Sequence, residues 1–226
     1  MTNESTSLHD SLKALIGTSK HKEQECRAYL KYARDLLVDV TTATFLNEAE
    51  EYRGHAGDSD YLIVSKTVDE AGIESNKAYL WEAKSPQCYL FEHDTKSRVR
   101  PTKEFISAEN QLLHYFEESR GSTTFIEDFN LTHPDNVVIG GVIIGCRRTW
   151  VRGGDYDELT LATLFTRALN LRKRYLYGRS GIKIMIWDHI LDYLKKQESP
   201  RMRKVKFTEA ISVPKPNYTI VSSGSK

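Results

Sequence analysis

The sequence predicts an α/β protein with a mixed central sheet flanked by helices. Three observations predict it. Two short apolar runs, 61–68 and 77–83, lie close enough to pair as a hairpin. A wholly apolar run at 137–145 suits a central, doubly covered strand. Segments with helical spacing precede, separate and follow these runs. The order is helices, hairpin, helix, strand, helix, strand, helix, which suits helices layered on a mixed sheet.

Taken along the chain, Leu8 to Ile16 reads as a short helix. Residues 21–53 carry apolar positions at helical spacing: Tyr29, Ala33, Leu36, Leu37 and Val40, then Phe45, Leu46, Ala49 and Tyr52. Two helices are expected, broken near Val38–Thr44 by a poor helix-forming stretch. Gly54 and Gly57 are expected to stop the second. Tyr61–Val68 and Lys77–Ala83 are the hairpin strands, with Asp69–Asn76 as the turn. Ser85–Lys103, with Pro86 and Pro101, reads as a long irregular connection, a kind of segment that often carries function. Phe105–Ser119 is an amphipathic helix whose expected apolar members are Phe105, Leu112, Leu113, Tyr115 and Phe116. A basic helix at 159–177, a short buried strand at 182–186 and a helix at 187–196 complete the pattern. Trp81 and Trp187 are expected in the core. From Gln197 the chain is a basic, proline-containing tail.

With 226 residues the chain suits one domain with extensions. Its hydrophobic fraction of 39% is enough for a core, and a net charge of +1 selects no class of partner. Three widely spaced cysteines, Cys26, Cys88 and Cys146, argue against a disulfide scaffold and a zinc ribbon. The polar N-terminus lacks the pattern of a signal peptide, and the longest apolar run is too short to span a bilayer as a helix. A cytoplasmic location is expected. The seven histidines form no HExxH pair, and no serine sits in a GxSxG setting. The glycines at 140, 141 and 145 lack the spacing of a phosphate loop and read as packing positions.

The chemistry is concentrated at the hairpin. Residues two apart on a strand share a face, so Glu82 and Lys84 project together. Asp60 opens the preceding run. A second acid-x-Lys triplet, Asp94-Thr95-Lys96, sits in a polar setting and reads as decoration. Asp60 and Glu82 offer the oxygen ligands that Mg²⁺ prefers. Bound metal acts as a Lewis acid and activates water. Lys84 can neutralise charge developing on a phosphate. A general-base role for Lys84 requires a pKa well below its usual value of roughly 10.4. A solvated salt bridge at a strand end is the competing, purely structural explanation.

Asp60 followed by Glu82-Ala83-Lys84 resembles the PD-(D/E)XK nuclease superfamily. Within it, the chain is similar to the Shedu family of antiphage nucleases over about residues 45–195. The resemblance rests on 81–86 (Trp-Glu-Ala-Lys-Ser-Pro), 108–115 (Ala-Glu-Asn-Gln-Leu-Leu-His-Tyr), the glycine-ended strand 138–147, and Ile184-Met185-Ile186-Trp187-Asp188. Three departures stand beside it: Ser59 in place of the superfamily's proline, Ala83 in place of leucine, and a short N-terminal extension. With residues 45–196 as the nuclease-like domain, residues 1–44 are expected as a helical extension and 197–226 as a basic tail. The resemblance implies Mg²⁺-dependent cleavage of DNA, with Mn²⁺ able to substitute, in a prokaryotic cytoplasm, by a homo-oligomer that a regulatory protein could control. Asp60, Glu82 and Lys84 match the catalytic positions, and Gln111 matches the helix glutamine facing the site. Glu48 and Glu51, on the helix expected before the hairpin, are candidates to join the metal site. Arg98, Arg100 and Lys103 are candidates for nucleic-acid contacts, with Tyr115 one helical turn beyond Gln111. Further basic groups occur at 147–152, 167–179 and 195–206. A non-cleaving nucleic-acid-binding or scaffold subunit and a sequence-specific restriction endonuclease are the rival expectations.

Overall fold

The computed structural model describes residues 7–38, 44–49, 52–54, 57–68, 72–95 and 98–198. Helix α1 (Leu8–Gly17) begins at Ser7, whose side chain accepts from the Asp10 amide. Short helices α2 (Glu23–Arg27) and α3 (Arg34–Leu37) follow, with a 3₁₀ turn at Leu30–Tyr32 between them. Next come strands β1 (Thr44–Ala49), β2 (Tyr52–Gly54), β3 (Gly57–Ser59), β4 (Tyr61–Val68) and β5 (Glu74–Ala83). The pair β6 (Phe91–Thr95) and β7 (Arg98–Pro101) leads to helices α4 (Lys103–Gly121) and α5 (Thr123–Asp128). Strands β8 (Val137–Ile143) and β9 (Val151–Arg152) precede α6 (Glu158–Arg172), a π turn (Lys173–Tyr177) and α7 (Gly178–Ser180). Strand β10 (Lys183–Met185) and helix α8 (Trp187–Glu198) close the described chain.

The central sheet has the order β1-β4-β5-β8-β10. β1, β4 and β5 are antiparallel neighbours, whereas β8 and β10 run parallel to β5. The sheet is therefore mixed, as expected, with helices on both faces. Strand alternation divides the core in two. Leu62, Val64, Ala78 and Leu80 share a cluster with Phe105 and Leu112 of α4 and Phe125 of α5, which Phe165 of α6 joins through Phe91. Tyr61, Ile63, Tyr79, Trp81 and Ala83 face the N-terminal helices and α8 through Leu12, Cys26, Leu30, Leu37, Trp187 and Ile190.

Several sequence expectations change. Residues 44–49 form a strand, not a helix: β1 pairs antiparallel with β4, from Thr44↔Lys66 to Ala49↔Leu62. Phe45, Leu46 and Ala49 imitate helical spacing, but tertiary pairing overrides that local pattern. Gly54 and Gly57 close a β2–β3 hairpin rather than a helix. The connection after Ser85 contains β6 and β7, which join β9 in a three-stranded sheet. Leu113 is 43% exposed, so α4 turns a leucine to solvent rather than to the core. The tail beyond Glu198 lies outside the described residues.

A bulge shapes the end of β5. Leu80 pairs with Ile139, but Trp81 pairs with Gly141, so Gly140 is the extra residue on β8. A Cβ on Gly140 would lie 2.2 Å from Trp81 Nε1. Trp81 is itself fixed, donating to the Leu37 carbonyl at 3.0 Å. The bulge resets the register of Trp81-Glu82-Ala83 against β8 immediately before Lys84.

Candidate active site

The β4–β5 register brings the charged residues together. Tyr61 pairs with Trp81, so Asp60, one step outward, falls opposite Glu82. Asp60 Oδ2 accepts the Ala83 amide at 3.1 Å. Lys84 Nζ contacts Glu82 Oε1 at 2.6 Å. The structure thus brings Asp60, Glu82 and Lys84 to one place.

The Lys84 backbone is held from both sides. Its amide donates to the Ile143 carbonyl at 2.8 Å. Its carbonyl accepts the Trp187 indole N–H at 2.7 Å. Ser85 is fixed in turn, because its amide donates to Glu23 Oε2 at 3.1 Å. The N-terminal helices therefore reach over the strand end. Gln87 anchors them there, donating to the Leu15 and Thr18 carbonyls at 3.0 and 3.2 Å.

Two residues that the sequence reading passed over complete the site. Arg27 is buried and forms a part-buried ion pair with Asp60 Oδ1. Glu23 adds a third negative charge near Lys84. Their partners lie 33 and 62 residues along the chain. Acids in the first turn of a short helix were the only local hint of Glu23.

The electrostatics are strongly perturbed. Glu82 is 1% exposed. Burial, then the negative charge of Asp60, pushes its carboxyl up to about 8, against the opposing pull of Lys84. Burial acts to lower the Lys84 pKa, but the carboxylates of Glu82, Asp60 and Glu23 outweigh it. The net shift is upward, so Lys84 remains an ammonium group. With no cation bound, that charge state suits charge stabilisation.

A cation would find suitable donors here. Glu82 Oε2 is buried without a hydrogen-bond partner among the described residues. The like-charged Asp60 carboxylate stands beside it. Two carboxylates completed by water and phosphate oxygens suit Mg²⁺. Among the described residues, no group of three or more histidine, cysteine or acidic side chains is placed to hold a metal. Glu48 stands on β1 rather than on a helix. Glu51 lies outside the described residues.

The remaining candidates are dispersed. Gln111 lies on α4, and its Oε1 is buried without a partner among the described residues. It borders an open depression of about 420 Å³ shared with Lys103, Ile106, Ser107, Asn110 and His114. That depression brings Lys103 and Gln111 together but does not include Asp60, Glu82 or Lys84. Tyr115 is half-buried on the same helix. Arg98 and Arg100 stand on β7 rather than in a loop. Arg100 is paired with Glu92 at 2.9 Å. Arg98 lines a separate depression with Arg167 and Leu171.

No family model and no curated protein matches this chain. Among the described residues, no helix is long and apolar enough to cross a membrane.

Proposed function

We propose that this chain is a Mg²⁺-dependent DNA endonuclease of the PD-(D/E)XK type, similar to the Shedu antiphage nucleases. The observation that carries the reading is the buried, partnerless Glu82 Oε2 beside the Asp60 carboxylate, with the Lys84 ammonium held against Glu82. A structural salt bridge has no need of a second carboxylate that raises the first one's pKa. A cation site does, because such charges are stabilised when metal binds.

A divalent cation bound there supplies Lewis acidity and an activated water. The protein's own groups do the rest. Asp60, fixed by the Ala83 amide, and Glu82, fixed by the sheet, present oxygens at a set spacing. Lys84, clamped through Ile143 and Trp187, holds a positive charge where a scissile phosphate would gather negative charge. Arg27 balances Asp60 when no cation is present.

The test is cleavage of supercoiled plasmid and linear duplex by wild type and Lys84→Ala, each with Mg²⁺ and with EDTA. Nicking or cutting that requires Mg²⁺ and falls roughly 10²–10³-fold in Lys84→Ala is expected. Cleavage that survives Lys84→Ala would place the chemistry elsewhere. The Arg27–Asp60 pair favours a second reading, a non-cleaving nucleic-acid-binding subunit whose site is permanently neutralised. Mg²⁺-independent DNA binding without cleavage would support it.

A further inference from the structure

One described stretch concentrates positive charge without any intervening acid. From Leu159 to Lys183 the chain carries six basic residues and no Asp or Glu: Arg167, Arg172, Lys173, Arg174, Arg179 and Lys183. The whole chain has 32 basic and 31 acidic residues, so this stretch departs sharply from the average. It forms α6, the π turn and α7 at the outside of the fold. Within α6 itself only Phe165 is fully buried.

Arg172 turns inward. It pairs with the buried Glu109 at 2.7 Å, lies over the Phe105 ring and anchors α6 to α4. Arg167, Lys173, Arg174 and Arg179 are exposed. Among the described residues no carboxylate pairs with any of these four. Elsewhere several arginines are neutralised: Arg100 and Arg152 by Glu92, Arg120 by Asp135, Arg147 by Asp188 and Asp192. Apolar side chains interleave with the cations. Tyr175 is 71% exposed, Leu176 53% and Leu171 50%. Concavities flank the segment, one of about 200 Å³ with Arg98, Arg167 and Leu171, another of about 470 Å³ with Lys173, Lys183 and His189.

From these observations we propose that α6 and the π turn form a surface that binds the phosphate backbone of duplex DNA through Arg167, Lys173 and Arg174. The choice of DNA rests on the nuclease reading; the charge complementarity to a polyanion does not. Arg167 and Arg174 are seven residues apart, about 10 Å along the helix. That equals about three nucleotide steps of one strand. Exposed Tyr175 and the neighbouring leucines give sugar edges something apolar to rest on.

The experiment is fluorescence anisotropy of a labelled duplex with the full chain in EDTA, across a salt series. The test variant is Arg167→Glu/Lys173→Glu/Arg174→Glu. The control, Lys13→Glu/Lys195→Glu/Lys196→Glu, reverses three exposed charges on α1 and α8, helices on the opposite face of the sheet. Circular dichroism checks folding, and the triple Gln variant serves if the Glu variant does not fold. The surface requires at least tenfold weaker binding in the test variant. It also requires a salt slope shallower by about 2–3, since each phosphate contact contributes about 0.9. The control should stay within twofold of wild type. Equal weakening in both variants would mean that net charge alone matters, and would overturn the surface. So would unchanged binding in the test variant, absence of binding by wild type, or a change only in oligomeric state by light scattering. Wild type that binds through this surface yet never cuts plasmid with Mg²⁺ would sink the nuclease reading and leave the surface standing. Wild type that cuts while the reversal binds normally would do the opposite.

Discussion

Glu82 is where folding and function conflict. A carboxyl that is 1% exposed and faces Asp60 binds its proton more tightly folded than unfolded. Its ordinary value of 4.5 rises to about 8. Between those values the native state holds more protons than the unfolded state, so stability falls as pH rises. The contribution is greatest below pH 4.5 and is lost as pH passes through about 8. Glu82→Gln keeps the shape and removes the titration. In EDTA, the stability of Glu82→Gln relative to wild type should increase by on the order of 3–5 kcal/mol between pH 5 and pH 9. Urea unfolding at several pH values measures it, and parallel curves would mean that Glu82 is not perturbed. At this scale Asp60, Glu82 and Lys84 are legible in the sequence, because strand alternation and antiparallel register are local rules. Arg27 and Glu23 are not legible. Nothing periodic joins an arginine to an aspartate 33 residues away; the packing of the N-terminal helices brings them together.

At the scale of elements, the Gly140 bulge controls how β5 delivers its charged end. A Cβ at Gly140 collides with a Trp81 indole that is 1% exposed and hydrogen-bonded to Leu37. The ring has no room to retreat. Gly140→Ala should cost about 2–3 kcal/mol. The effect should appear as a lower urea midpoint at unchanged slope. Gly121→Ala, at the end of α4 with nothing near its would-be Cβ, should stay within about 0.5 kcal/mol. Equal effects at both positions would show that Trp81 adapts. The β4–β5 hairpin and β8 are readable because their apolar runs are continuous and bounded by polar residues. β1 is not, since an edge strand with apolar residues at 45, 46 and 49 satisfies helical spacing equally well. β6 and β7 escape because they are short, charged and end at Pro101. The bulge itself leaves no trace beyond two adjacent glycines.

At the scale of the whole molecule, the N-terminal helices cover one face of the sheet and cap the candidate site. Leu12, Ile16, Cys26, Leu30 and Leu37 cover Tyr61, Ile63, Tyr79 and Trp81, each of them at most 2% exposed on the sheet side. Fully burying one such side chain contributes roughly 1.5–3 kcal/mol. Several together rival the 5–15 kcal/mol, roughly, that holds a typical domain together. Composition marks this segment only as helical; that it completes the core follows from the alternation of β4 and β5, which leaves a second apolar face to be covered. Deleting residues 1–38 should therefore remove cooperative unfolding and expose surface that binds a hydrophobic dye. It also strips Arg27 from Asp60 and Glu23 from Ser85, so site integrity should be lost with the fold. Arg27→Gln separates these effects. It retains the covering helices and removes only the counter-charge, so the cooperative transition should persist. Mn²⁺ affinity measured calorimetrically should then rise severalfold if Arg27 competes with a cation for Asp60. An unchanged affinity would make Arg27 a structural brace, and a cooperative melt of the deletion near that of the full chain would make the N-terminal helices an appendage.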